Sequence, residues 1–202
     1  MDVAVKICGI TNLADAELAV ELGADFVGLN FWPRSPRWVT MDAALAIAER
    51  LRGAAGLVGV FVDEEPERVA ATADALGLDL VQLHGNEGPD EAERLGPRVL
   101  KAFRGMPAAD EPERYPSAWG FLVDAADAQG YGGGGRSWGW STGPLEAGER
   151  PVFVAGGIRP DNVALAAAVG AYGLDVCSGV ESAPGRKDPE LLRALFRAVG
   201  RG

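Results

Sequence analysis

A short apolar run that recurs eight times constrains this 202-residue chain more than anything else in it. The runs are Val3 to Ile7, Phe26 to Leu29, Leu57 to Val62, Leu80 to Leu83, Val99 to Phe103, Gly120 to Val123, Val152 to Ala155 and Leu174 to Cys177. They are mostly apolar on both faces, as strands of a buried parallel sheet are, and the stretches between them carry Ala, Leu, Glu and Arg at helical spacing. A phrase in which a helix ends in glycine and a strand follows repeats at 21–29, 75–83 and 168–176. Gly23, Gly77 and Gly170 are therefore expected to cap helices in the left-handed conformation, where a Cβ would clash.

Eight strands alternating with helices can close into a (β/α)₈ barrel or lie open as a doubly wound sheet, and periodicity does not separate the two. The length is at the low end for a barrel but within its range. Several connections must then be short, above all those near 105–118 and 141–149, where Pro, Gly and aromatic residues interrupt the helical pattern. One domain spanning 1–202 is expected, since halves of that length would have thin cores.

Composition removes several function classes. The net charge of −10 is spread along the chain, which disfavours nucleic acid as a partner. No window approaches the about 18 to 20 apolar residues of a membrane span, and the start does not read as a secretory leader, so a cytoplasmic protein with no membrane partner is expected. Two cysteines and one histidine are too few for a disulfide framework or a zinc site, and no metal is expected.

In a barrel the chemistry sits at the carboxyl ends of the strands. Cys8 ends the first run. As a thiolate it can accept a proton, although its ordinary pKa of about 8.5 leaves it mostly protonated at neutral pH; as a thiol it is a small core hydrophobe. Asp124 follows the sixth run, where an apolar wall can raise a carboxyl pKa and make it a general acid; a helix cap or solvated turn is the alternative, as it is for Asp63 and Asp127. Glycine segments at 132–135, 155–158 and 177–180 follow the sixth, seventh and eighth runs and suit a phosphate held by backbone N–H groups, or else are tight turns. The formal G-x-G-x-x-G at Gly130, Gly132 and Gly135 lacks a following helix, so no dinucleotide is expected. In the segment 30–39, Arg37 can grip a carboxylate in two-pronged fashion while aromatics stack on a ring, and Arg34 is expected in solvent.

Taken together, VKICGIT, GLNFWPRSPRWV, VGVFVDE, VQLHGNE, LVDA, GYGGGGRSW, VFVAGGIRPDNV and DVCSGVESAPGRKD resemble the phosphoribosylanthranilate isomerases, in that family's order from residue 5 to residue 188. The resemblance implies a (β/α)₈ TIM barrel of the ribulose-phosphate-binding type. It implies a cofactor-free Amadori rearrangement of N-(5′-phosphoribosyl)anthranilate in tryptophan biosynthesis. By it Cys8 corresponds to the general base and Asp124 to the general acid. Arg37 would hold the anthranilate carboxylate, and Gly156, Gly157, Ser178 and Gly179 the phosphate, with Gly134 in the substrate loop. Gln82, His84 and Asp175 would line the pocket.

The chain departs from the family at Gly133 to Trp140, where a fourth consecutive glycine and a lost Asp should loosen the loop, and at Cys177, where serine is common. Strands one and eight would be neighbours, so Cys8 and Cys177 are expected close enough to oxidise together. A synthase of the same superfamily would need a catalytic lysine and a longer N-terminus. A histidine-pathway isomerase would need paired aspartates where this chain has Cys8 and no carboxylate near Phe103. A non-catalytic phosphate-binding barrel would keep the glycine loops without the acid and base. A monomer is favoured, with a homodimer as the alternative.

Overall fold

Each apolar run becomes one strand of a closed parallel barrel. The computed structural model describes residues 3–124 and 148–201. The strands are β1 (Ala4–Cys8), β2 (Phe26–Asn30), β3 (Gly56–Phe61), β4 (Leu80–Leu83), β5 (Val99–Arg104), β6 (Gly120–Asp124), β7 (Val152–Ala155) and β8 (Gly173–Val176). Each pairs with the next, and β8 returns to β1 with Lys6 opposite Asp175. That last ladder excludes the open doubly wound sheet and leaves the barrel without an edge.

The outer layer is α1 (Leu13–Glu21), α2 (Met41–Leu51), α3 (Pro66–Leu76), α4 (Pro89–Leu95), α5 (Val163–Ala167) and α6 (Pro189–Ala198). Asn12, Thr40 and Asp188 cap α1, α2 and α6 by accepting N–H bonds from the first turn, while α3 and α4 open on proline, whose missing N–H costs nothing there. Gly23, Gly77 and Gly170 have φ of 104°, 64° and 78°, so the three expected caps are left-handed.

This layer is uneven. Between β5 and β6 a 3₁₀ turn, Glu111–Arg114, stands in for a helix, in line with the short connection expected near 105–118. There Tyr115 packs edge-on against Phe103, and the Arg150 guanidinium lies 4.6 Å from the Phe121 ring centre, so single side chains cover the wall. Residues 141–147 of the other interrupted stretch lie outside the described residues.

Side chains alternate across the wall, as the strand period of two requires. Val5, Ile7, Val27, Leu29, Leu174 and Val176 belong to the large core under the helices. A separate interior cluster of Leu100, Ala102, Leu122, Phe153 and Ala155 is joined by Phe26 and Trp119. The Phe26 and Phe153 rings meet edge to face at 5.6 Å and plug the amino-terminal end of the barrel. They fit because the strands beside them start with glycine: a Cβ on Gly56 would lie 2.5 Å from the Phe26 ring, and one on Gly173 would strike the Phe153 ring. Above this plug the interior turns polar. Among the described residues, no helix is long and apolar enough to cross a membrane.

Candidate active site

The polar layer is organised by Lys6, in the middle of β1, which is fully buried. Its Nζ donates to Asp175 Oδ1 on β8 at 2.8 Å and to Gln82 Oε1 on β4 at 2.9 Å. Gly28 on β2 makes the space: a Cβ there would come within 2.9 Å of Cys8 Sγ and 3.2 Å of Lys6 Cε, so both side chains lie over the same glycine. Burial opposes the charge on Lys6, yet Asp175 and Cys8 raise its pKa above the ordinary lysine value. Burial and the Cys8 charge push Asp175 up to about 6, against the pull of Lys6.

Cys8 is 8% exposed at the carboxyl end of β1. A hydrogen bond from the Cys177 thiol, helped by the Lys6 and Lys187 ammoniums, holds Cys8 well below the ordinary thiol range despite burial. The same bond, with burial, pushes Cys177 well above it. Cys177 Sγ also lies 3.9 Å from Glu181 Oε1, at the limit for a sulfur donor. Cys8 is buried, but its neighbours include ammoniums and a thiol and not only apolar side chains. Cys8 and Cys177, at the ends of the paired strands β1 and β8, shift each other's pKa.

Asp124 ends β6, half-buried, with Oδ2 3.4 Å from His84 Nε2. His84 follows β4, and its Nδ1 lies 2.7 Å from Gln82 Nε2. Asp175, Lys6, Gln82, His84 and Asp124 thus form one connected line across the mouth. Asp175 feels the charges of both Cys8 and Asp124, which brings the expected acid and base to one site.

Arg37 reaches the mouth from the loop after β2. Local turns shape that loop: Asn30 Oδ1 accepts from Trp32 N, and Ser35 Oγ accepts from Arg37 N. Arg37 Nε and Nη2 clasp Glu181, at 2.9 and 2.7 Å from its two oxygens. Burial works against ionising Glu181, but Arg37 and Lys187 hold it below the usual carboxylate range. Arg34 is exposed, as expected. Glu181 and Lys187 lie on a hairpin after β8, β9 (Glu181–Ala183) and β10 (Arg186–Lys187), turned at Pro184-Gly185. Lys187 Nζ, fully buried, donates to Glu181 Oε1 and to the Cys8 and Cys177 carbonyls, tying the ends of β1 and β8 together.

Gly156 and Gly157 follow β7 with φ of 91° and 66°. Asn162 folds this loop back by donating to Gly157 O and accepting from Arg159 N. Ser178 and Gly179 lie in a 3₁₀ turn after β8. A Cβ on Gly179 would run into the Ile158 carbonyl, so the two glycine loops touch. Gly134, the rest of the loop at 133–140, and Asp127 lie outside the described residues. Asp63 does not cap α3; its Oδ1 accepts from Asn86 N and joins the loops after β3 and β4.

Lys6, Glu181 and Lys187 were not among the residues singled out from sequence. Lys6 had a signal, since a lone charge within an apolar strand needs a buried partner. For the hairpin the signal was the Pro-Gly pair, a turn marker. Among the described residues, no group of three or more His, Cys, Asp or Glu side chains is arranged to hold a metal ion.

Comparison with known proteins gives a consistent answer. Residues 5–198 match the family described as N-(5′-phosphoribosyl)anthranilate (PRA) isomerase. The chain is 46% identical to the N-(5′-phosphoribosyl)anthranilate isomerase of Myxococcus xanthus, covering 98% of this chain and 97% of that one. Its structure is similar to that of phosphoribosyl anthranilate isomerase from Thermus thermophilus, with a TM-score of 0.86 at 41% identity and 98% of each chain covered. It is also similar to a phosphoribosyl anthranilate isomerase solved with reduced 1-(o-carboxyphenylamino)-1-deoxyribulose 5-phosphate, with a TM-score of 0.81 at 36% identity, covering 98% of this chain and 99% of that one. By sequence over nearly its whole length, and by fold, the chain belongs to the N-(5′-phosphoribosyl)anthranilate isomerase family.

Proposed function

We propose that this protein converts N-(5′-phosphoribosyl)anthranilate into 1-(2-carboxyphenylamino)-1-deoxyribulose 5-phosphate, with Asp124 as general acid and Cys8 as general base. Asp124 protonates the ribose ring oxygen; the C1–O bond breaks as the amine lone pair forms C=N, giving an open Schiff base. The Cys8 thiolate then removes the proton from C2, and the electrons of that bond form C1=C2 as the C=N electrons return to nitrogen. Tautomerisation of this enolamine to the ketone returns both groups to their starting protonation states. The iminium acidifies the C2 proton, so a modest base suffices.

The setting of Cys8 supports the assignment: it ends β1 over the same glycine as the Lys6 side chain, and the Cys177 thiol with the Lys6 and Lys187 ammoniums lowers its pKa, which favours the thiolate a base requires. The Nε and Nη2 edge of Arg37 is engaged by Glu181, so the anthranilate carboxylate would meet Nη1. Backbone N–H groups of Gly156, Gly157, Ser178 and Gly179 would hold the phosphate. Gln82, His84 and Asp175 would line the sugar's side of the pocket. All these groups come from one chain, so a monomer suffices, acting in the cytoplasm; one similar isomerase, from Thermotoga maritima, is dimeric.

The test is the fluorescence decay of freshly made phosphoribosylanthranilate on adding the purified protein. Decay is expected, and Cys8→Ala and Asp124→Asn should each lower turnover by at least about a hundredfold while a product analogue still binds. Near-parental turnover in either variant overturns the role of that residue, and binding without any decay overturns the activity.

A further inference from the structure

We propose that Lys6 is a positioning residue serving both ends of the proton transfer at once: it keeps Cys8 as a thiolate, and through the Gln82 amide it sets the tautomer of His84 that orients Asp124. This role rests on the isomerase assignment above, and it adds a residue that touches neither the leaving oxygen nor the C2 proton.

The second half follows from donor and acceptor chemistry. An ammonium only donates, so Gln82 must present Oε1 to Lys6 Nζ, 2.9 Å away. Its NH₂ is then the group facing His84 Nδ1 at 2.7 Å. Nδ1 must accept, which leaves the proton of the neutral imidazole on Nε2, the nitrogen that faces Asp124 Oδ2 at 3.4 Å. That contact is long for a hydrogen bond in the unliganded site, and such contacts often tighten in the substrate complex. With Oδ2 faced by an N–H, the transferable proton of Asp124 belongs on Oδ1. A neutral amide cannot choose its own orientation here; the buried ammonium behind it makes the choice.

The first half is a matter of shared space. Lys6 Cε and Cys8 Sγ lie over the same glycine, so the ammonium charge acts on the sulfur and favours its ionised form. Among the described residues, the other groups around Cys8 are the Cys177 thiol and Asp175 from β8, Lys187 and Glu181 from the hairpin, and Arg37 from the loop after β2. Lys187 is committed to Glu181 and two carbonyls. Lys6 joins the thiol side of the mouth to the carboxyl side through its bond to Gln82.

Two readouts test this. His84 is the only histidine, so ¹⁵N NMR of the imidazole reports its tautomer without assignment. In a Cys177→Ser background Cys8 is the only thiol, so thiolate absorbance in the ultraviolet reports its titration. The parent should carry its imidazole proton on Nε2. In Lys6→Met, the tautomers should mix and the thiol titration and the acid limb of kcat/KM should both move up by more than about one pH unit. At pH 7, kcat/KM should fall by at least about a hundredfold, mainly through kcat. Gln82→Glu gives a second route should Lys6→Met fail to fold: a carboxylate accepts from both neighbours, so Nδ1 should become protonated while the thiol titration stays near the parental value. A parental imidazole protonated on Nδ1, an unprotonated Nδ1 in Gln82→Glu, or an unmoved thiol titration in Lys6→Met overturns the proposal. Should the parent lack isomerase activity, the functional assignment fails, and the NMR and absorbance results still decide what Lys6 does.

Discussion

Lys6 and Lys101 are both buried, at 0% and 3% exposure, and each is paired with a buried carboxylate, yet they lie on opposite faces of the barrel wall. Lys101, on β5, shares the outer face with Val99 and Phe103. Its Nζ donates to Glu87 Oε2 and Gly85 O, and the Glu87 oxygens also accept from Asp63 N and Gly85 N. Every donor in that cluster ends on the loops after β3 and β4, so the pair is closed on itself and pins loops. Lys6 faces inward, where its partners are a thiol, a carboxyl group and an amide that each lead on to another reactive group. The same ion pair is a staple on one face and a hub on the other. What differs is whether its remaining hydrogen bonds end on backbone or on titratable side chains.

The sharpest way to break this comparison is Lys101→Met. Removing one partner of a buried pair costs about 3 to 5 kcal/mol, so the unfolding free energy in urea should fall by that much. The acid limb of kcat/KM in the folded protein should stay where it is, in contrast to Lys6→Met. A moved acid limb would show that the outer pair also feeds the site.

Asp175→Asn sharpens the comparison through pH. Because Asp175 is raised from 3.8 to about 6 in the fold, the native state favours its protonated form. Its contribution to stability is therefore complete below pH about 3.8 and is lost as pH rises through about 6. Thermal melts of the parent between pH 4 and 6 should carry this decline, and the Asn variant should flatten it. An unchanged slope would mean that Asp175 is ionised through that range.

The smallest effect concerns Cys177. Hydrogen peroxide would convert the Cys8 thiolate to a sulfenic acid, releasing hydroxide, and the Cys177 thiol would displace water from that sulfur to form a disulfide. Peroxide should then inactivate Cys177→Ser more slowly, or only irreversibly, whereas the parent recovers with a thiol reductant. If the variant and the parent lose activity at the same rate and recover alike, the two sulfurs do not join.

Much of this was legible in the sequence, for reasons that are local. Eight apolar runs, the glycines at 23, 77 and 170, and the prolines that open α3 and α4 act within a few residues of themselves, through backbone sterics and side-chain period. Cys8 and Asp124 could be singled out because a residue just past an apolar strand of such a barrel faces the mouth. Tertiary structure alone decided which inward groups meet. Lys6 and Asp175 are 169 positions apart and touch only because closing the barrel brings β8 beside β1 in one register. The orientation of the Gln82 amide, and the ammonium and thiol around Cys8, follow from that closure. Register in a closed barrel is a property of all eight strands together, and no single segment encodes it.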